Sequence, residues 1–306
     1  MLTNNIIEVR NFTKKYGDFT AVDHITFDVE EGTIFAFLGP NGAGKSTTIN
    51  TLCTIIEKTE GEMRINGHDV AEQKSLVRKD IGIVFQESTL DTRLTIEENL
   101  KLHCDFYQVP KQKVKERIDF VLDLVDLAEW RNSAVGALSG GMKRRVEIAR
   151  GLVHFPRVLF LDEPTTGLDP QTRANIWSYI TKLQKEQNIT IFLTTHYMDE
   201  AEICDKIAIM DHGKIVAYDT AAGLKEKHTK DSIKLKVASK ELLEAYLHEH
   251  ELEFLLKNEH YTIYPPTLSS GLELITQFKD SILDLEVNKG TLNDVFLNIT
   301  GREIRG

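Results

Sequence analysis

The chain has 306 residues, 41% hydrophobic and 27% charged, a size and composition that suit one larger domain plus a smaller one with packed cores. Its 47 acidic and 37 basic residues give a net charge of −10 and a pI of about 5.5; that balance argues against a nucleic-acid partner, which demands clustered Lys and Arg. Cys53, Cys104 and Cys204 form no CxxC pair and have no attendant His cluster, which argues against a zinc site or disulfide framework and for reduced thiols. The opening MLTNNIIEVR lacks a basic run before an apolar stretch, so no signal peptide is expected. No run approaches the ~18 apolar residues that a membrane-spanning helix needs.

Taken in chain order, residues 6–10 and 25–30 read as short strands broken by Gly17 and Gly32. Residues 33–38 form a nearly continuous apolar run ending in Gly39-Pro40, the pattern of a buried strand entering a loop. A helix is predicted over 45–56, then strands over 62–65 and 81–85. From 95 to 151 apolar residues such as Ile96 and Leu100, then Val114, Ile118, Val121 and Val125, recur at helical spacing, which predicts a helical insert. Parallel-sheet texture returns in VLFLD (158–162) and ITIFLTT (189–195), with a helix over 170–187 between them. Residues 205–210 and 214–218 flank His212-Gly213 as a hairpin. After about Lys227 the order becomes strand (232–237), helix (240–249), two strands (252–256 and 261–264), helix (271–279) and strand (282–287). That βαββαβ order is the split βαβ pattern of ferredoxin-like domains. TLND at 291–294 is a capping box opening a last short helix through Ile299.

Residues 39–47 read GPNGAGKST and satisfy the phosphate-loop pattern G-x-x-x-x-G-K-[ST]. The backbone N–H groups of Gly39, Pro40, Asn41, Gly42, Ala43 and Gly44, proline excepted, can turn inward around phosphate oxygens. The helix that follows points its positive end at the same anion. Lys45 is placed to reach the β- and γ-phosphates, Ser46 to offer a hydroxyl to Mg²⁺, and Thr47 to support the α- and β-phosphates. In VLFLDEP (158–164), two carboxylates emerge at the end of a buried strand, where open α/β sheets bind ligands. Asp162 is expected to hold Mg²⁺ through water. Glu163, expected to point elsewhere because side chains alternate along a strand, is the candidate general base. These two motifs identify a phosphate-loop NTPase with a place for Mg²⁺ but not its family; ATP as the nucleotide is implied by the resemblance that follows.

LSGGM (138–142) opens the basic helix KRRVEIAR ahead of the second motif. Here the sequence resembles the ATP-binding cassette (ABC) family, whose signature is LSGGQ; Met142 departs from the usual Gln and resembles the drug-resistance exporter branch. The resemblance covers about residues 6–227 and implies an α/β, RecA-like phosphate-loop NTPase core with a helical subdomain at about 88–151. It implies that Tyr16 stacks on adenine and that Gln86 touches Mg²⁺ and senses a transmembrane partner. It also implies that Gly167, Leu168 and Asp169 cross a dimer interface and that His196 hydrogen-bonds the γ-phosphate. Alone, Tyr16 would read as a core or surface tyrosine, Gln86 as an ordinary exposed amide and His196 as structural, but the strand end and following helix reverse that reading for His196. By the same resemblance, Ser139, Gly140 and Gly141 cap the γ-phosphate bound to another subunit.

The expectation is therefore an ATP-hydrolysing domain (1–227) followed by a small α+β accessory domain (228–306). The latter resembles the C-terminal extension of daunorubicin-resistance-type exporter ATPases, especially NDVFLNITGR (293–302). The resemblance implies a homodimer, or pairing with a second cassette, on ATP binding. It further implies a separate transmembrane permease and a cytoplasmic location, peripheral on the inner face of the membrane. A soluble ABC ATPase of translation or DNA repair is the alternative, but the chain has neither a second cassette nor a long coiled coil. A scaffold without turnover fits poorly with an intact Lys45, Glu163 and His196.

Overall fold

The computed structural model describes residues 4–301. It divides into two compact units, one running up to Ala221 and the other starting at Ala222. The sequence reading sets this division at 227/228. Arg302, the last residue of the C-terminal resemblance, lies outside the described residues.

The first unit opens with a hairpin of β1 (Asn5–Tyr16) and β2 (Phe19–Glu30), turning at Gly17 with φ 56°. Both strands run longer than their apolar alternation suggests. Asn11 (φ 49°) and His24 (φ 50°) break the register without ending the pairing. β3 (Ile34–Leu38) is wholly buried and leads to α1 (Lys45–Leu52). That helix stops short of its predicted end because the chain turns left-handed at Thr54 (φ 61°). β4 (Glu60–Ile65), β5 (His68–Asp69), α2 (Lys74–Asp80) and β6 (Ile81–Val84) follow. α2 buries Val77 alone, too little apolar surface to leave a periodic signal. The helical insert consists of α3 (Ile96–Phe106), α4 (Lys111–Leu124) and α5 (Gly140–Leu152). A reciprocal box between Thr95 and Glu98 starts α3. Next come β7 (Val158–Asp162), α6 (Pro170–Gln187), β8 (Thr190–Thr195), the single turn α7 (Met198–Ala201), and the hairpin of β9 (Lys206–Asp211) and β10 (Lys214–Asp219).

Six strands form one sheet in the order β10-β9-β3-β8-β7-β6, parallel except at β10. A second, antiparallel sheet runs β2-β1-β4-β5. The rings of Phe27, Phe35, Phe37, Phe160 and Phe192 pack into one core that joins both sheets, with Phe35 and Phe192 centred 4.9 Å apart. β3, β7 and β8 are buried along their whole lengths, as strands covered on both faces must be. Their carboxyl ends lie side by side: Leu38 pairs with Thr195, and Asp162 with Thr194. This register delivers the loops after β3, β7 and β8 to one place, the rim at which parallel sheets bind ligands.

α8 (Ala221–His228) begins at the division, and the second unit goes on with β11 (Ser232–Val237), α9 (Lys240–Glu249), β12 (Glu253–Lys257), β13 (His260–Tyr264), α10 (Leu268–Phe278), β14 (Ile282–Asn288) and α11 (Leu292–Thr300). Its antiparallel sheet runs β12-β13-β11-β14, the strand order that a split βαβ unit produces. Leu235, Leu243, Leu247, Tyr261, Ile263 and Leu274 fill its core. The predicted capping box is present, with Thr291 and Asp294 bonding reciprocally at the start of α11. Among the described residues, no helix is long and apolar enough to cross a membrane.

Candidate active site

The loop between β3 and α1 has no room for a side chain at two of its positions. A Cβ on Gly39 would stand 2.3 Å from the carbonyl oxygen of Met210, and one on Gly44 would stand 2.8 Å from that of Ala21. Gly42 (φ 80°) and Gly44 (φ 102°) are also left-handed, where a side chain costs energy. Asn41 and Gly42 form the exposed tip, whereas Ala43 is buried beneath it. No side chain caps α1, so the N–H groups of its first turn, carrying Lys45, Ser46 and Thr47, remain available to an anion. Lys45 is buried and donates to the carbonyls of Gly39 (2.6 Å) and Pro40 (3.0 Å). Burial pulls its pKa below the usual lysine value, while Glu163 and Asp162 pull it back up.

Facing this loop, Asp162 ends β7 and Glu163 follows with φ 46°. Both carboxylates are buried. Asp162 Oδ1 accepts from the hydroxyls of Ser46 (3.1 Å) and Thr194 (2.6 Å). Glu163 does diverge from Asp162, but the left-handed backbone redirects it rather than simple strand alternation. Its N–H donates to Thr194 Oγ1 at 3.0 Å. Its Oε2 accepts from Thr166 Oγ1 (3.1 Å) and Gln86 Nε2 (3.4 Å), and lies 3.4 Å from His196 Nδ1. Its Oε1 is 3.7 Å from Lys45 Nζ. Lys45, Ser46, Gln86, Asp162, Glu163 and His196, scattered across the chain, thus meet at one rim. His196 Nδ1 is buried and has no hydrogen-bond partner, so it is an unspent polar atom at the centre of the site.

Several members of this cluster carry no motif of their own. Thr194 bonds both carboxylate residues, and its only sequence signal is a polar residue closing an apolar strand. The carboxylate of Glu200 is almost wholly buried, accepting from Thr195 Oγ1 at 2.7 Å and from Thr165 Oγ1. It ties the loop after β7 to the end of β8, immediately before His196. Arg144, in α5, is also buried and donates to four backbone carbonyls: Phe85 (2.6 Å), Pro164 (2.6 Å), Asp162 (3.3 Å) and Glu163 (3.3 Å). Glu147 is its counter-ion at 2.8 Å, one turn along the same helix. An Arg followed by Glu three residues later in a helix was the available clue.

The other expected residues do not reach this cluster through any hydrogen bond described within the chain. Ser139 caps α5, accepting from the N–H of Met142 at 3.3 Å, with Gly140 and Gly141 in the first turn. A Cβ on Gly141 would stand 2.5 Å from Thr172 Cγ2, which explains the glycine. Thr172 in turn bonds Asp169, the cap of α6, through its N–H (3.0 Å) and hydroxyl (2.6 Å). Those two bonds hold the Asp169 carboxyl below its usual pKa. The N-termini of α5 and α6 therefore lie together. Tyr16, at the end of β1, is half exposed, with the Lys14 ammonium 4.8 Å above its ring.

A sequence profile described as ABC transporter matches residues 22–166, from the hairpin through the phosphate loop and LSGGM to the paired carboxylates. The linearmycin resistance ATP-binding protein LnrL of Bacillus subtilis is 34% identical over 315 residues, covering 98% of this chain and 100% of LnrL. The chain belongs to the ABC transporter family. It is an ATP-binding cassette carrying a C-terminal extension. The probable multidrug ABC transporter ATP-binding protein YbhF of Escherichia coli is 39% identical over 226 residues, 74% of this chain; the match spans only 39% of YbhF. Among solved structures, cbiO1 of Clostridium perfringens, part of the complex cbiONQ, superimposes with a TM-score of 0.68 at 28% identity, covering 80% of this cassette and 95% of cbiO1. A dimeric post-hydrolysis form of the cassette MJ0796 bound to ADP and Pi gives a TM-score of 0.63 at 30% identity, covering 70% and 98% of the two chains.

Proposed function

We propose that this cassette hydrolyses ATP to drive a separate transmembrane permease that exports a drug, lipid or polysaccharide. The observation that carries the reading is the convergence of Lys45, Ser46, Asp162, Gln86 and His196 around Glu163. In this reading the phosphate loop and Lys45 hold the β- and γ-phosphates, and Tyr16 stacks on the adenine. Ser46, Asp162 and Gln86 are oxygen donors that suit Mg²⁺, a hard cation that keeps several waters and takes phosphate oxygens as further ligands. Bound there, the ion neutralises charge that develops on the transferring phosphoryl group. Glu163 polarises the attacking water as general base. His196, with Nδ1 3.4 Å from Glu163 Oε2 and no hydrogen bond of its own there, is assigned to meet the γ-phosphate.

A second copy, or a paired cassette, supplies Ser139, Gly140 and Gly141 to cap that phosphate, with Asp169 at the same seam. The dimeric MJ0796 structure supports the pairing of two cassettes, and cbiO1, a part of the ABC transporter complex cbiONQ, supports work within a transporter complex. The subunit then sits peripherally on the inner face of the membrane. Resistance in the name of LnrL supports export as the direction.

Purification from detergent-solubilised membranes tests the partner. Retention of a multispanning protein, with ATP hydrolysis lost in Glu163→Gln, is the expected result. A chain that instead brings down ribosomes or DNA, or a Glu163→Gln variant that hydrolyses ATP normally, overturns the reading.

A further inference from the structure

Arg144 commits its entire guanidinium to the loops around the candidate general base. A guanidinium has five N–H donors in a fixed fork and cannot shed its charge. In this fold Nε donates to the carbonyl of Pro164, Nη1 to the carbonyl of Phe85 and to Glu147 Oε2, and Nη2 to the carbonyls of Asp162 and Glu163. All five donors are placed, and both Arg144 and Glu147 are buried.

Those acceptors belong to different segments. Phe85 immediately precedes Gln86. Asp162, Glu163 and Pro164 form the end of β7 and the loop that follows. Arg144 itself sits in the second turn of α5, the helix capped by Ser139. Glu163 is left-handed, a backbone state that a non-glycine residue holds only when its surroundings enforce it. Arg144 bonds the carbonyls of both Glu163 and Pro164, while Thr194 holds the Glu163 N–H.

We infer that Arg144 is a positioning residue for hydrolysis: its guanidinium, with Glu147 as counter-ion, fixes Glu163 and the Gln86 loop to the signature helix α5. The inference rests on the reading of Glu163 as general base. It follows that displacement of α5 at its Ser139 end is transmitted through one rigid side chain to the carboxylate that works on water. Lysine cannot replace it, because a single ammonium has three donors and no fork. Removing Arg144 alone strands the buried charge of Glu147 and threatens folding.

The test uses the full-length chain in three forms alongside wild type: the apolar double variant Arg144→Met/Glu147→Leu, the single variant Arg144→Lys, and Glu163→Gln. Melting temperature, affinity for a fluorescent ATP analogue and steady-state ATP hydrolysis are measured for each. The double variant is expected to remain folded and to bind nucleotide within about threefold of wild type. Its kcat is expected to fall about 10²-fold, the penalty for roughly 1 Å of misplacement at a reacting group. Arg144→Lys is expected to fall between it and wild type. A folded double variant with wild-type kcat overturns the inference. So does a loss in which affinity and kcat fall in parallel with melting temperature, since that is what a purely structural residue produces. If the double variant fails to fold, Arg144→Lys decides, and an unchanged kcat there is contradictory. Normal hydrolysis by Glu163→Gln instead refutes the general-base reading and leaves the Arg144 measurements separately interpretable.

Discussion

Lys45 and Glu163 form a buried pair, with Nζ 3.7 Å from Oε1, although they lie on different loops of the sheet rim. Lys45 also touches two carbonyls of its own loop, and Glu163 also touches Gln86 and Thr166. In the proposed reading, the ammonium is held where triphosphate oxygens enter, next to the carboxylate assigned to the water. Lys45→Met is expected to lower ATP affinity at least about tenfold, in line with losing a charge-assisted contact of 1.5–3 kcal/mol. Titration with a fluorescent ATP analogue checks it; unchanged affinity would remove Lys45 from the phosphate site.

Ser139 bonds within its own helix, and no described hydrogen bond links it to the phosphate loop of the same chain. A site completed in trans predicts complementation. Ser139→Arg and Lys45→Met should each be inactive alone. Mixed, they form dimers in which one copy supplies an intact loop and the other an intact signature. Phosphate release should reappear on mixing and rise with the fraction of mixed dimer. A mixture as silent as its components contradicts assembly of the site across two chains.

Glu200 illustrates a stability effect inside the catalytic scaffold. Its carboxylate accepts from Thr165 and Thr195, all three residues being buried. Glu200→Ala leaves two hydroxyls without that acceptor and opens a small void. The expected loss is about 2–4 kcal/mol, read as a shift in urea midpoint with an unchanged slope. Glu200→Gln retains an acceptor and should lose less.

His154 stacks on Tyr107 with ring centroids 3.6 Å apart and contacts the carbonyl of Ile81 at 2.8 Å. Burial pushes its pKa down from 6.5 to about 4; His103, near Arg150, is likewise pushed down to about 4 by burial first and that charge second. A histidine depressed in the folded state binds its proton more readily when unfolded. These two residues therefore cost no stability above pH 6.5, and acidification from 6.5 to about 4 progressively favours unfolding. Thermal melts across that window should fall with pH, and His154→Gln should flatten the decline. A melting temperature that rises on acidification contradicts the neutral buried state.

Much of this was legible in the chain itself, for physical reasons. Phosphate loops need glycine where a Cβ would strike Met210 or Ala21, so the motif is a direct image of the geometry. The wholly buried β3, β7 and β8 announce themselves as apolar runs, and the split βαβ order survives intact in the second unit. Illegible features depend on tertiary partners. The bulged continuation of β1 and β2 depends on pairing across residues that break alternation. α2 buries one side chain and leaves no period. α8 carries a glycine, has one buried apolar residue, and lies where the units divide. The Arg144–Glu147 spacing hints at an ion pair, but the carbonyls and hydroxyls that Arg144, Thr194 and Glu200 bond come from distant segments that spacing cannot reveal.

In the proposed reading, Glu163 activates water in a site shared by two chains. The most direct measurement is the sedimentation mass of Glu163→Gln, with and without Mg-ATP, beside its phosphate release. The expected result is a monomer that doubles in mass when Mg-ATP is added and releases almost no phosphate. A variant that stays monomeric with bound ATP, or that hydrolyses it at the wild-type rate, would contradict it.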